Sequence, residues 1–380
     1  MKRKFILYFS IFTFIIMSLV LVACSGNQTT SNENQNVNQS QDENKNHGTE
    51  EEPVDFKFGS WTPETHHTQI NAFEPWAEYV AEKTGGLITV DVRGGSVLGG
   101  SQQSLQDVSG GVYDIGYTVA QYYPDTPLFK MTVLDLPFAF VNAEEHYQKK
   151  VKVAERFVDE YVREDFEELG VKLLGIYSSD PLTIFSSTPI NSVEDLKGKK
   201  ILLQGANWEP IITGWGGIPV SVAIEDLYTG LDRGTLDVSL YATAGAYSTK
   251  IYEPAPYFTN LPKSGVSAVS MMNLEKYKSL SPELQKTLDE ELSPKLMELW
   301  QGSFINTMDQ AVEQLANEIE GKGEVIVPTD EAAQGFMAPA EGVWKQWIEE
   351  ANRKGYDGQE LMDGFLRIMA EEGVEPPFEF

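Results

Sequence analysis

Hydrophobic and polar residues alternate from Val54, with Phe56 and Phe58 separated by Asp55 and Lys57, the two-residue period of a strand with one wet face. Thr62-Pro63-Glu64 then supplies a cap, a first-turn proline and an acid, the signature of a helix start. Ile70, Phe73, Trp76, Ala77 and Val80 recur at helical spacing, and Gly85-Gly86 predicts the stop. A strand over 87–92, a short helix over 101–108 and a strand over 112–117 follow. This βαβαβ order predicts a parallel sheet covered by helices.

The middle of the chain repeats the theme. Strands are predicted over 171–177, 199–203 and 236–241, with a turn at Asp195-Leu196-Lys197-Gly198 and a helix over 224–232. Residues 281–320 carry a helical pattern with little glycine, and 324–327 reads as a late strand closed by Pro328. Trp344, Trp347 and Ile348 share one helical face, and 361–368 supplies a last helix. Two α/β units in one chain predict two lobes, and the space between them is the place to look for a ligand.

The beginning of the chain reads differently. Met1-Lys2-Arg3-Lys4 is basic, Phe5 to Val22 carries no charge, and Leu21-Val22-Ala23-Cys24 ends the apolar run. That order predicts a lipoprotein signal over 1–23, with Cys24 diacylated as the mature N-terminus. Residues 24–53 are almost entirely polar and predict a disordered tether. A long tether of this kind implies attachment to the outer face of the membrane of a Gram-positive-like cell. The alternative is an uncleaved membrane anchor.

Composition narrows the partners. With 29 Lys+Arg against 57 Asp+Glu the formal net charge is −28, which repels phosphate backbones and argues against nucleic acid. The single cysteine forbids an intrachain disulfide. No nucleophile elbow, phosphate loop or zinc-binding His-Glu-x-x-His occurs, so neither an enzyme nor a cofactor is supported. His66-His67 is the only histidine pair, and neighbouring positions diverge too much to share a metal without a third ligand.

Several segments in order carry a family resemblance. Phe73-Glu74-Pro75-Trp76-Ala77-Glu78-Tyr79-Val80 precedes Lys83-Thr84-Gly85-Gly86, Val90-Asp91-Val92 and Leu98-Gly99. Gly111-Val112-Tyr113-Asp114-Ile115 and Asp135-Leu136-Pro137-Phe138 come next. Pro189-Ile190-Asn191 with Asp195-Leu196-Lys197-Gly198-Lys199-Lys200-Ile201, then Glu225-Asp226-Leu227-Tyr228 and Gly234-Thr235-Leu236-Asp237, complete the series. From about Val54 onward the chain resembles the DctP-type solute-binding proteins of tripartite ATP-independent (TRAP) transporters. The resemblance implies a bilobed periplasmic-binding-protein-like α/β fold, two lobes joined by a hinge and a long interlobe helix. It places lobe I at 54–179 plus about 268–307, and lobe II at 180–267 plus about 308–380. It implies a small organic solute, delivered to integral membrane permease subunits. An ATP-driven permease or a sensor reading the same closed state is the rival assignment.

The chain departs from the family pattern at its recognition points. The resemblance expects a carboxylate-clamping arginine where Leu202 stands, and a second where Leu182 stands. Leucine cannot supply the two charge-assisted hydrogen bonds of a guanidinium. By position, Trp61, Tyr122, Trp208 and Tyr241 are candidate aromatic walls of the cleft, with Asp180 and Glu209 as nearby acids. Rings with acids suit an amine or quaternary ammonium. His67, Gln204 and Asn207 are alternative contacts for a neutral solute, or for a small acid held without arginine.

Overall fold

A computed structural model describes residues 52–141, 146–261 and 265–378. The signal segment 1–23, Cys24 and all but the end of the 24–53 tether lie outside the described residues. Glu50–Phe380 forms one compact unit with its own cores, able to fold without the preceding segment. In chain order its strands are β1 (Val54–Gly59), β2 (Ile88–Arg93), β3 (Ile115–Val119), β4 (Val171–Ser178), β5 (Leu182–Ser186) and β6 (Lys200–Leu202). They continue with β7 (Ile218–Val220), β8 (Val238–Ala242), β9 (Tyr257–Thr259), β10 (Ser267–Asn273) and β11 (Glu324–Ile326).

Two sheets result. The first has the order β2-β1-β3-β10-β4 and the second β11-β9-β5-β8-β6-β7. Each is mixed. In the first, β10 runs antiparallel between β3 and β4; in the second, β5 runs antiparallel between β8 and β9. Both of these strands follow a passage from one sheet to the other, after β4 and after β9. The passages lie side by side, with the Ser179 N–H on the Val266 carbonyl at 2.9 Å and the Val266 N–H on Ser179 Oγ at 2.8 Å. Gly265 permits this approach, because a Cβ there would stand 2.1 Å from the Ser179 carbonyl oxygen.

The helix Ser293–Ile319 is a third link. At 27 residues it is about 40 Å long. Leu296, Trp300 and Phe304 enter the core of the first sheet, while Leu315 and Ile319 enter a core of the second.

Two local readings change. The predicted helix start at Thr62 is a turn, because the Thr62 carbonyl accepts the Gly95 N–H at 2.7 Å. The helix opens instead with a wide π-turn at Gln69–Phe73, continuing as Glu74–Lys83; the wide turn rotates Ile70 off the apolar face, leaving it 51% exposed. Helices Ala340–Arg353 and Gly358–Glu371 share a core with Ile201, Trp215 and Leu240 of the second lobe and reach the segment before β4 as well. Trp344 Nε1 donates to the Pro137 carbonyl at 3.0 Å and Trp347 Nε1 to Thr132 Oγ1 at 2.8 Å, and Phe365 meets Phe140 and Phe157. Their apolar faces need cover, and the segment before β4 provides it. Among the described residues no helix is long and apolar enough to cross a membrane.

Candidate functional site

A cavity of about 90 Å³ lies between the two sheets. Trp61 just past β1, Tyr117 on β3, Tyr122 just past β3 and Tyr177 on β4 form its first-sheet wall. Leu182 at the start of β5, Gln204 just past β6 and Tyr241 near the end of β8 form the opposite wall. Trp300 and Phe304 of the long helix close one side, since residues four apart share a helix face. The cleft therefore gathers the carboxyl ends of β1, β3, β6 and β8, where open α/β sheets take ligands.

The rings hold one another. Trp61 and Tyr117 have centroids 4.7 Å apart, Tyr117 meets Trp300 edge-on at 5.0 Å, and Tyr177 stacks on Trp300 at 3.6 Å. Burial raises the phenols of Tyr117, Tyr122, Tyr177 and Tyr241, so all four stay protonated. Burial also pushes the His66 imidazole down to about 3, leaving it neutral against Thr68 Oγ1 at 2.8 Å. No Asp, Glu, Lys or Arg is among the described residues of the lining.

Charge sits behind the wall. Asp180, in the first passage between the sheets, accepts the Ala244 N–H at 2.9 Å through Oδ2, while its buried Oδ1 has no hydrogen-bond partner. Burial raises its carboxyl to about 7, against the backbone hydrogen bonds that favour ionisation. At the second passage Asp135 Oδ1 accepts from Lys150 Nζ at 2.9 Å and the Ser267 N–H at 2.8 Å. Lys150 also donates to the Gly265 carbonyl, and Asp135 Oδ2 accepts from Gln121 Nε2 at 3.2 Å. Gln121 lines the cavity, so this buried pair ties the passage to the wall.

Of the sequence-derived candidates, the cavity brings together Trp61, Tyr122 and Tyr241, with Gln204 and Leu182. The others lie elsewhere. Trp208 is 1% exposed and packs in the core against Phe138 and Trp215, because its short helical turn faces inward. Asn207 is occupied by the Thr132 carbonyl at 3.1 Å. Leu202 is buried in the second sheet's core and, with Glu209, borders an adjoining groove. His67 turns to the long helix, its Nδ1 2.8 Å from Ser303 Oγ, and His66 faces the cavity in its place. Sequence reasoning does not reach Tyr117, Tyr177, Trp300 or Phe304; the last two carry the i, i+4 spacing of an ordinary buried helix face.

Two mixed α/β lobes, joined by the strand passages and the long helix and enclosing a cavity at their junction, define a bilobed solute-binding protein. A profile of the bacterial extracellular solute-binding protein family 7, DctP, matches residues 58–351. The chain belongs to that family, the DctP-type receptors of TRAP systems. It is 26% identical over 303 residues to the outer membrane transporter protein TsaT of Comamonas testosteroni, covering 78% of this chain and 86% of that one. To the ectoine-binding periplasmic protein TeaA of Halomonas elongata it is 24% identical, covering 73% and 80%. A marine metagenome TRAP solute binding protein specific for aromatic acid ligands, in complex with metahydroxyphenylacetate, superposes with a TM-score of 0.72 at 25% identity, covering 84% and 99%.

Proposed function

We propose that this chain is an extracytoplasmic receptor that closes on a small organic solute bearing no negative charge, an amine or a neutral molecule with a ring or compact apolar face. The carrying observation is a lining of seven aromatic side chains with no cationic one among the described residues. A carboxylate buried there would lose water and gain no counter-charge from the described residues, a cost of several kcal/mol. Leu182 lines the cavity and Leu202 lies in the core, where the family resemblance expects guanidinium groups. An ammonium meets π-faces, an attraction of about 2 kcal/mol when desolvated. The aromatic-acid relative supports a ring in the pocket; its acid group would meet no cation among the described lining residues. Lipidated Cys24 holds the receptor at the outer face of the membrane, where it passes the unaltered solute to TRAP permease subunits.

One ring with three charges tests this reading. Benzylamine, benzyl alcohol and benzoate are titrated against the 50–380 unit by calorimetry and thermal shift. Benzylamine or benzyl alcohol is expected to bind more tightly than benzoate. Tightest binding by benzoate overturns the assignment of solute charge.

A further inference from the structure

Ile224 borders the cavity, and the residue after it reaches into the opposite lobe. Glu225 belongs to the single turn Ile224–Asp226 of the second lobe. Its Oε1 accepts the Ser101 N–H at 2.7 Å and its Oε2 accepts Ser101 Oγ–H at 2.8 Å. Ser96 Oγ lies 3.4 Å from Oε1. Both serines are in the first lobe, between β2 and the helix Ser104–Ser109. Gly100 leaves room for the carboxylate, since a Cβ there would stand 3.2 Å from Oε1.

The receiving loop is tied to the cavity wall. Ser96 has a left-handed backbone, φ 60°, and its N–H bonds to the Ser60 carbonyl at 3.1 Å. Its hydroxyl also lies 3.4 Å from the Trp61 carbonyl oxygen. The loop that receives the carboxylate is therefore the loop that braces Trp61, and the turn that sends it carries Ile224. Latching the lobes and sealing the cavity are one movement.

We propose that Glu225 is the positioning residue that holds the lobes shut, acting through Ser101 and Ile224 without touching the solute. The latch rests on the receptor reading for its role in capture, while the contact itself stands without any solute. A carboxylate fits this place because both oxygens accept, one from an amide and one from a hydroxyl. Glutamine keeps the shape but turns one acceptor into a donor facing Ser101.

The test uses the 50–380 unit and its E225Q and S101A variants. Amide hydrogen exchange without ligand is expected to show the Ser101 N–H exchanging about tenfold faster in E225Q, with Tyr117 and Leu240 unchanged. With benzylamine as probe, E225Q is expected to raise the dissociation rate about tenfold and leave association within about threefold. S101A, which keeps the amide contact, should show a smaller rise. Unchanged Ser101 exchange in E225Q overturns the latch. A wild-type chain that binds neither benzylamine nor benzyl alcohol overturns the proposed solute class, and exchange then decides the latch alone.

Discussion

Replacing Lys150 with methionine is expected to cost about 3–5 kcal/mol of folding stability. The Lys150 and Asp135 side chains are 0% and 1% exposed, so no water replaces a missing partner. Burial pulls the ammonium of Lys150 down, and the Asp135 carboxylate beside it pushes it back up. Methionine nearly conserves volume, so the loss is electrostatic rather than a cavity term. Asp135 would keep the Ser267 N–H and Gln121 Nε2 but lose its counter-charge. D135N/K150M, with no charge left to compensate, should recover more than half of the loss. Urea unfolding of the 50–380 unit measures each variant, with an unchanged slope as the sign that only stability moved. A K150M loss below about 1 kcal/mol, or a double variant weaker than K150M, refutes the reasoning.

Other residues give separate readouts. Y241A is expected to weaken benzylamine binding at least about tenfold with little loss of stability, whereas W208A should cost about 3–5 kcal/mol of stability as a core truncation. Equal effects of the two on affinity, measured by calorimetry, would contradict their placement. Asp180 gives a pH signature. Its carboxyl is raised in the folded state from 3.8 to about 7, so folding takes up a proton between those values and stability falls as pH rises through that window. The excess stability of wild type over D180N should therefore shrink between pH 4 and 7, by at most about 4 kcal/mol. A pH-independent difference in urea midpoints would show that the carboxyl is solvated.

The fold was legible where burial imposes a period. Val54 to Phe58 alternates because one face of β1 is wet, and Trp344 with Trp347 recurs because one face of their helix is dry. β10 was not legible as a strand: it reads Ser-Ala-Val-Ser-Met-Met-Asn and is buried on both faces, leaving no alternation. The π-turn at Gln69–Phe73 was invisible for a different reason, since one extra residue in a turn changes facing without changing composition. In the cavity, Trp61, Tyr122 and Tyr241 could be placed by counting from strand ends. Trp208 sits at such an end too, yet its side chain turns into the core, a choice made by tertiary packing. Tyr177 and Trp300 lie 123 positions apart in the sequence and meet only when the long helix folds over the first sheet.

How firmly the lobes can be held shut follows from what capture requires. Trp61, Tyr117, Tyr122 and Tyr177 stand on one wall and Leu182, Gln204 and Tyr241 on the other, so a solute makes its full contacts only when both walls meet. Its preference for the closed state is what shifts the lobes. A latch strong enough to close an empty cavity would remove that preference and slow release to a partner. Glu225 is suited to the intermediate strength, because its hydrogen bonds form at the expense of bonds to water and their net gain is small. The buried Asp135–Lys150 pair has the opposite role. With no access to water, it keeps the passage between the lobes fixed while the latch opens and closes.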